Sequence, residues 1–188
     1  MPKEKKRPPA VAALATPLGH MFISVGKNGM RMVTGGRVRS SKNRDARPDP
    51  REAKELARAV KELREYFLGK RKRFTVRVDL SQGTQFQQKV WRELEKIPYG
   101  RVVSYGELAR RIGRPGCARA VGQAVGSNPV GIIVPCHRVV AANGKIGGWS
   151  GSGGIAGKKA LLRLEGIDLL ETKKSRKVSR KGQPEPRL

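Results

Sequence analysis

Explicit helix caps and stops between residues 83 and 126 constrain the fold of this chain more than any other feature of its sequence. Thr84-x-x-Gln87 is a capping box and Pro98 is a helix stop, so they predict a helix in the stretch between them. The apolar side chains of that stretch share one helical face: Phe86, Val90, Leu94 and Ile97. The second half of the chain is therefore predicted to be mainly helical.

Two shorter helices are predicted to follow, joined by a tight connector. Ser104-x-x-Glu107 caps the first, which covers residues 105–112. The second covers residues 117–125 and ends at Gly126-Ser127-Asn128-Pro129. Two short helices with a glycine-containing turn are typical of helix-turn-helix proteins, although such pairs also occur as plain packing units. The pair alone leaves both interpretations open.

The first part of the chain is predicted to be a small α/β unit. Segments 20–25 and 30–33 flank Asn28-Gly29, which indicates a β-hairpin. Asp49-Pro50-Arg51-Glu52 opens a helix that Gly69 ends. The apolar stripe of this helix is formed by Leu56, Val60, Leu63 and Phe67. Residues 73–80 alternate as a further strand.

Together these elements predict an α/β (α+β) fold with two domains. Residues 11–80 would form a small N-terminal domain with a short antiparallel sheet and a helix. Residues 81–170 would form a mainly helical C-terminal domain with a helix-turn-helix. Residues 1–10 and 171–188 are basic and are predicted to be disordered arms.

The charge of the chain indicates a polyanionic partner. It holds 41 Lys and Arg against 15 Asp and Glu, a formal net charge of +26. Nucleic acid is the leading candidate and an anionic membrane surface is the second. No apolar run approaches the ~20 residues of a membrane span, and no signal core follows the basic N-terminus. A cytoplasmic protein with reduced thiols is therefore expected, or a nuclear one in a eukaryote.

Pro135-Cys136-His137-Arg138 is a candidate for covalent chemistry. The apolar runs around it, 132–134 and 139–140, predict a buried strand and the start of the next element. A thiol beside an imidazole can be a nucleophile, but a lone cysteine is more often a small core residue. Cys117 is predicted to be such a packed residue. No Cys/His pair has zinc-finger spacing, so a structural zinc site is not expected.

The remaining stretch is predicted to contain a loop and a last helix. Residues 147–154 are glycine-rich but contain no GK[ST] run, so a phosphate-binding loop is not predicted. Glycines there allow the backbone to approach a flat ligand closely. The helix covers residues 155–164, and Glu165-Gly166 ends it.

The motifs of residues 83–166, taken together, resemble the O6-alkylguanine-DNA alkyltransferase family. A single Pro-Cys-His-Arg could arise by chance, whereas the whole series in the family's order and spacing could not. The N-terminal part resembles the family only in its coarse α/β order. The stretches that carry the resemblance are Ile97-Pro98-Tyr99-Gly100, Val103-Ser104-Tyr105-Gly106-Glu107-Leu108-Ala109, Ala118-Arg119-Ala120-Val121-Gly122, Asn128-Pro129, Pro135-Cys136-His137-Arg138-Val139-Val140 and Gly148-Trp149-Ser150-Gly151.

The resemblance implies single-turnover DNA repair. No cofactor is expected, and zinc, which some relatives carry, has no evident ligands in this sequence. The alkyl group on O6 of a damaged guanine passes irreversibly to a cysteine, which by position is Cys136; O4-alkylthymine is a further candidate substrate. His137 would take the thiol proton through a water molecule, and Glu165 would hold the imidazole unless it is only a helix-end acid. Tyr105 would donate a proton near N3 of the guanine. Asn128 would tie the second short helix to the active-site turn.

The resemblance also implies how the substrate is held. Ser150 would donate to O6, and the backbone carbonyls of Val134 and Cys136 would accept from the exocyclic amine. Trp149 would wall the pocket. Arg119 would enter the minor groove of double-stranded DNA and fill the stack left by a flipped-out base. A monomer is expected, and cooperative binding along DNA is left open.

Two positions depart from the family pattern. Gly131 stands where some relatives have a pocket-lining proline, which could loosen the wall beside large alkyl groups, and Trp149 stands where Tyr or Phe is commoner.

Three other functions compete with DNA repair. They are a lesion-binding relative without repair activity, a general DNA-binding protein and a cysteine hydrolase. The presence of Cys136 argues against the first alternative, and its combination with His137 and Glu165 argues against the second. No marked oxyanion hole supports the third.

Overall fold

A three-stranded antiparallel sheet forms the N-terminal part of the protein. The computed structural model describes residues 9–35, 49–149 and 151–168, and the sheet has the order β1 (Ala10–Thr16), β2 (Gly19–Gly26), β3 (Gly29–Gly35). The predicted hairpin is confirmed as β2 and β3. Strand β1 was not predicted, because an alanine-rich segment has weak strand propensity. It pairs along its whole length with the central strand β2.

The hairpin turn lies one residue earlier than predicted. Gly26 pairs with Gly29, so Lys27 and Asn28 are the loop residues rather than Asn28 and Gly29. Gly29 has φ +126°, and a Cβ there would lie 2.6 Å from the Arg77 carbonyl oxygen. The glycine is therefore required both by its conformation and by the close approach of another segment.

Helix α1 (Pro50–Phe67) packs against the sheet and follows the prediction closely. The side chain of Asp49 caps it by accepting from the N–H of Arg51, and Pro50 is its first residue. Gly69 follows its end with φ +71°. Its buried side chains include Ala59, Leu63 and Tyr66.

The strand predicted over residues 73–80 is wrong. The segment forms one isolated bridge, in which Val78 pairs with Met30. The carboxylates of α1 explain the difference, because Glu62 accepts from the N–H of Thr75 and Glu55 accepts from the N–H of Arg77. These N–H groups are thus satisfied by side chains rather than by a neighbouring strand.

The C-terminal part is mainly helical, as predicted. Its elements are α2 (Gln85–Glu95), β4 (Val103–Ser104), α3 (Tyr105–Arg111), α4 (Ala118–Gly126), β5 (Val139–Val140) and α5 (Gly154–Leu164). The capping box of Thr84 and Gln87 is present at α2, and Ser104 caps α3 by accepting from the N–H of Glu107. The two predicted short helices are α3 and α4. The indole N–H of Trp91 ties α2 to them by donating to the Ala124 carbonyl at 2.7 Å.

The buried strand predicted over residues 132–134 is also wrong. The segment is buried but forms a turn in which Ile132 has φ +72°. Asn128 stabilises this turn, because its side chain accepts from the N–H of Val130 at 3.1 Å and donates to the Val134 carbonyl at 2.8 Å. The next run forms β5, which pairs in parallel with β4.

One continuous set of buried apolar side chains joins the two parts. It runs from Ile23 and Met30 of the sheet, through Leu63 of α1, to Val121 of α4 and Leu161 of α5. None of the described helices is both long enough and apolar enough to span a bilayer. The basic arms predicted over 1–10 and 171–188 lie outside the described residues, except for Pro9 and Ala10.

Candidate active site

A short 3-10 turn, Cys136–Arg138, holds the candidate nucleophile. It follows Pro135, and β5 begins at the next residue, Val139. Cys136 is 5% exposed, His137 is fully buried and Arg138 is 6% exposed. The turn thus places a thiol, an imidazole and a guanidinium in succession inside the protein. Burial of such polar groups requires partners, which other elements supply.

Glu165, at the C-terminal end of α5, is the partner of the His137 ring. Its Oε1 lies 2.8 Å from His137 Nε2. A carboxylate only accepts hydrogen bonds, so Nε2 carries the hydrogen and Nδ1 carries the lone pair. Nδ1 is buried and has no hydrogen-bond partner among the described residues. Burial lowers the pKa of His137 more than the neighbouring Glu165 raises it, which favours a neutral imidazole that can accept a proton at Nδ1.

Glu165 is more than a helix-end acid. Arg138 binds it through Nε and Nη2, both at 2.8 Å, and also donates from Nη1 to the Ile97 carbonyl at 2.6 Å. Burial alone would raise the pKa of Glu165, but the hydrogen bonds from His137 and Arg138 and the charge of Arg138 outweigh it and lower the pKa to about 2. Arg138 therefore holds Glu165 and the Ile97 carbonyl in place through its guanidinium. The carboxylate stays ionised at any physiological pH.

Two further buried side chains belong to this region, and the sequence did not reveal either of them. The hydroxyl of Tyr66, from α1, donates to Glu165 Oε1 at 2.8 Å. Lys158 of α5 is fully buried, and its Nζ donates to the Val139 carbonyl at 2.6 Å. A signal for Lys158 existed, because it lies three and four residues before the buried Leu161 and Leu162 on one helical face. We call Tyr66, His137, Arg138 and Glu165 the buried acid-base cluster.

Trp149 lies directly beside the thiol. Its indole Nε1–H points at Cys136 Sγ at 3.5 Å. Two glycines make room for the indole, because a Cβ at Gly151 would overlap it and a Cβ at Gly157 would lie 2.7 Å from it. The indole therefore lines the cavity beside the thiol and presents a hydrogen-bond donor to the sulfur.

Tyr105 opens α3 and is partly buried near the same thiol. Burial, and to a lesser extent the charge of an ionised Cys136, raises the pKa of its hydroxyl, so this group stays protonated at neutral pH. Its ring packs beside Gly147, where a Cβ would lie 3.1 Å from the hydroxyl. The Lys158 ammonium lies 6.0 Å from the centre of the ring.

Asn128 connects α4 to the active-site turn through the Val134 carbonyl, as expected. The same carbonyl also accepts from the N–H of Cys136 at 2.8 Å. A carbonyl oxygen has two lone pairs, so a substrate amine at Val134 would have to share this acceptor. Ser150, the predicted donor to O6, lies outside the described residues.

A cavity of about 170 Å³ adjoins Cys136. Met21, Met32 and Gly35 of the sheet line one side, and Gly131, Trp149 and Ser152 line the other. A Cβ at Gly131 would lie 3.6 Å from the Val33 carbonyl, an ordinary contact, so the glycine leaves space that a larger residue would occupy. The N-terminal sheet thus shapes the space beside the thiol.

Arg119 is not part of this buried region. It lies on the outer side of α4, together with Ala120 and Gln123, whereas Val121 and Ala124 face the core. We call Arg119, Ala120 and Gln123 the exposed face of α4. Further exposed arginines lie on α3 and on the connector: Arg110, Arg111 and Arg114. Of these, Arg111 is paired with Glu107 of the same helix.

Comparison with known proteins identifies relatives of this fold and site. The profile of the 6-O-methylguanine DNA methyltransferase DNA-binding domain matches residues 85–167. A methylated-DNA–protein-cysteine methyltransferase of Mycobacterium tuberculosis is 57% identical over 107 residues, which is 57% of this chain and 63% of that protein. The chain therefore aligns with less than two thirds of that relative's length.

Other relatives match over a greater share of their length. A methylated-DNA–protein-cysteine methyltransferase of Methanosarcina acetivorans is 41% identical over 157 residues, covering 82% of this chain and 97% of that protein. The crystal structure of Mycobacterium tuberculosis OGT in complex with DNA matches with a TM-score of 0.66 and 44% identity, over 82% of this chain and 91% of that one. This chain belongs to the methylated-DNA–protein-cysteine methyltransferase family.

Proposed function

We propose that the protein repairs DNA by moving the alkyl group from O6 of a guanine to Cys136 in a single irreversible turnover. The observation that carries the proposal is the buried Nδ1 of His137, the residue next to the candidate nucleophile, which has no hydrogen-bond partner within the part of the chain that the structure describes. Its lone pair can therefore accept the thiol proton. The relatives of Mycobacterium tuberculosis and Methanosarcina acetivorans are methyltransferases of the same reaction class.

The reaction begins with proton transfer from the thiol. Neighbouring residues in a tight turn are badly placed for a direct hydrogen bond, so one water carries the Cys136 proton to His137 Nδ1. Glu165 holds the resulting imidazolium through Nε2. The Nε1–H of Trp149 donates to the sulfur and stabilises its negative charge. The site thus supplies a soft nucleophile without a metal or cofactor.

The thiolate then attacks the alkyl carbon, and the carbon–O6 bond breaks. The electron pair of that bond leaves with the guanine, which takes a proton from the Tyr105 hydroxyl near N3. Ser150 donates to O6, and the carbonyls of Val134 and Cys136 accept from the exocyclic amine. The product is a thioether on Cys136, whose stability explains why each chain acts once. O4-alkylthymine fits the same chemistry as a second substrate.

The substrate base lies inside a duplex and must be flipped out. Arg119, on the exposed face of α4, fills the vacated stack from the minor groove. Damage occurs in any sequence, and minor-groove recognition has the low sequence specificity that this task needs. The net charge of +26 supplies affinity for the phosphates. The protein acts as a monomer. It works where the DNA is, which is the cytoplasm or, in a eukaryote, the nucleus.

The test is incubation with a duplex that carries one O6-methylguanine, followed by intact-mass measurement. We expect one methyl group per chain, located on Cys136 by peptide mapping. Cys117→Ala is the matched control, since it removes the chain's other cysteine and should gain the methyl group as the wild type does. Cys136→Ala should bind the duplex without a gain of mass. A wild-type protein that binds but stays unmodified would refute the repair reaction and leave a lesion-binding or general DNA-binding protein.

A further inference from the structure

The N-terminal part contributes one polar side chain to the chemistry of the buried acid-base cluster. Tyr66 lies in the last turn of α1 and is fully buried. Its hydroxyl oxygen lies 2.8 Å from Glu165 Oε1 and 3.5 Å from His137 Nε2. The same carboxylate oxygen therefore accepts from the tyrosine and from the imidazole. Tyr66 comes from a different part of the chain than the family motifs around the thiol.

The tyrosine ring is held firmly in place. It packs against Phe67, Phe74 and Tyr99, with ring-centre distances of 5.5, 5.4 and 6.2 Å. Burial and the charge of Glu165 raise the pKa of its hydroxyl, so the group remains protonated and donates to the carboxylate. The hydroxyl thus acts as a fixed donor that competes with His137 for one oxygen.

We propose that Tyr66 is a positioning residue that sets the basicity of His137 by sharing Glu165 Oε1 with it. By donating to this oxygen, the hydroxyl withdraws charge that would otherwise stabilise the imidazolium. The imidazole therefore stays neutral, with its Nδ1 lone pair available, down to a lower pH. The N-terminal part of the protein is in this way a component of the alkyl-transfer site. The inference rests on the proposed function for its kinetic consequence, and on geometry alone for its effect on His137.

Other charged groups around His137 do not replace this donor. The ionisable groups that face it from the surrounding elements are Tyr66 of α1, Arg138 of its own turn, Lys158 and Glu165 of α5 and the neighbouring Cys136. Tyr99, which precedes β4, contacts the cluster through its ring. Arg138 binds Glu165, and Lys158 donates to the Val139 carbonyl at 2.6 Å. Neither contact involves the Tyr66 hydroxyl, so both remain when that hydroxyl is removed.

Tyr66→Phe removes the hydroxyl, and Tyr99→Phe is its matched control. The Tyr99 hydroxyl is also hydrogen-bonded beside the cluster, but it donates to the Leu164 carbonyl at 2.7 Å and not to Glu165. We expect the acid limb of the pH–rate profile for methyl transfer to move up by roughly half to one pH unit in Tyr66→Phe. Rates below that limb should fall by roughly three- to tenfold. Tyr99→Phe should keep the wild-type limb.

NMR titration of the two histidines provides a readout that does not need activity. His20 is exposed and serves as the internal reference. The His137 midpoint should rise in Tyr66→Phe and fall when Tyr66 is replaced by 3-fluorotyrosine, whose hydroxyl is a stronger donor in nearly the same shape. The fluorinated protein also provides the test if Tyr66→Phe does not fold.

The outcomes separate this inference from the proposed function. A wild type that transfers no methyl group overturns the function, whereas the NMR midpoints still decide the role of Tyr66. An active wild type with the same acid limb and His137 midpoint in Tyr66→Phe overturns the inference. Equal shifts in Tyr66→Phe and Tyr99→Phe, or losses of rate that are uniform across pH, would mean that Tyr66 only packs.

Discussion

The buried acid-base cluster and the exposed face of α4 are built in opposite ways. In the cluster, one carboxylate has partners from distant parts of the chain: Glu165 of α5 binds His137 and Arg138 of the turn, Tyr66 of α1 and the backbone N–H of Gly100. On α4, Arg119 is exposed to solvent. Substitutions in the cluster should therefore change stability and chemistry together, whereas those on α4 should change only the handling of DNA.

Glu165→Gln should have the largest effect and tests the coupling of stability to chemistry. It keeps the shape of the side chain but leaves the buried Arg138 and His137 without their anion. We expect the free energy of unfolding to fall by about 3 kcal/mol and methyl transfer to slow at the same time. Chemical denaturation and transfer kinetics measure the two effects. Glu93→Gln, which breaks an ion pair with the exposed Lys96, should cost less than about 1 kcal/mol. Equal losses of unfolding free energy in Glu165→Gln and Glu93→Gln would contradict the contrast between buried and exposed groups.

The contrast also explains which features the sequence predicted. Local signals fix the helices: Thr84, Ser104 and Asp49 each bond to backbone N–H groups within three residues, so their caps were predicted. The resemblance placed Cys136, His137 and Glu165 in one site. The contact of Tyr66 with Glu165 joins residues 99 positions apart, and no local pattern reports such a pair. Side chains also overrode strand patterns at 73–80 and at 132–134.

Arg119→Ala should have the largest effect on the DNA side. Without the guanidinium to fill the stack, the extruded base returns more readily, and repair in duplex should slow by roughly ten- to a hundredfold. Attack on free O6-benzylguanine and the free energy of unfolding should stay at the wild-type values. Arg114→Ala removes the same charge from the exposed connector and should slow duplex repair much less. A loss with the free base equal to that in duplex would show that Arg119 serves the chemistry instead.

Acid should destabilise the cluster before it affects the exposed face of α4. The pKa of His137 is lowered in the folded protein by burial, so the unfolded chain binds this proton first, and stability falls as the pH drops below about 6.5. The pKa of Glu165 is lowered to about 2, so a second loss follows between about pH 4.5 and pH 2. Denaturation midpoints measured from pH 8 to pH 3 test this order. In Glu165→Gln the second loss should shrink, and the part that remains would come from Glu62, whose pKa is also lowered because its hydrogen bonds with Thr75 outweigh burial.

Trp149→Phe should have the smallest effect and tests the boundary between the two regions. Trp149 is half-buried and lines the cavity, and its Nε1–H points at the buried Cys136 sulfur. If the indole serves the thiolate, losing this donor should slow transfer by about threefold to tenfold, the usual worth of one hydrogen bond. The factor should be the same for free O6-benzylguanine and for duplex, because the thiolate is common to both. Thermal unfolding controls for the space that the smaller ring leaves beside Gly151 and Gly157. A loss confined to duplex would place Trp149 with Arg119 on the DNA side, since only base capture differs between the two substrates.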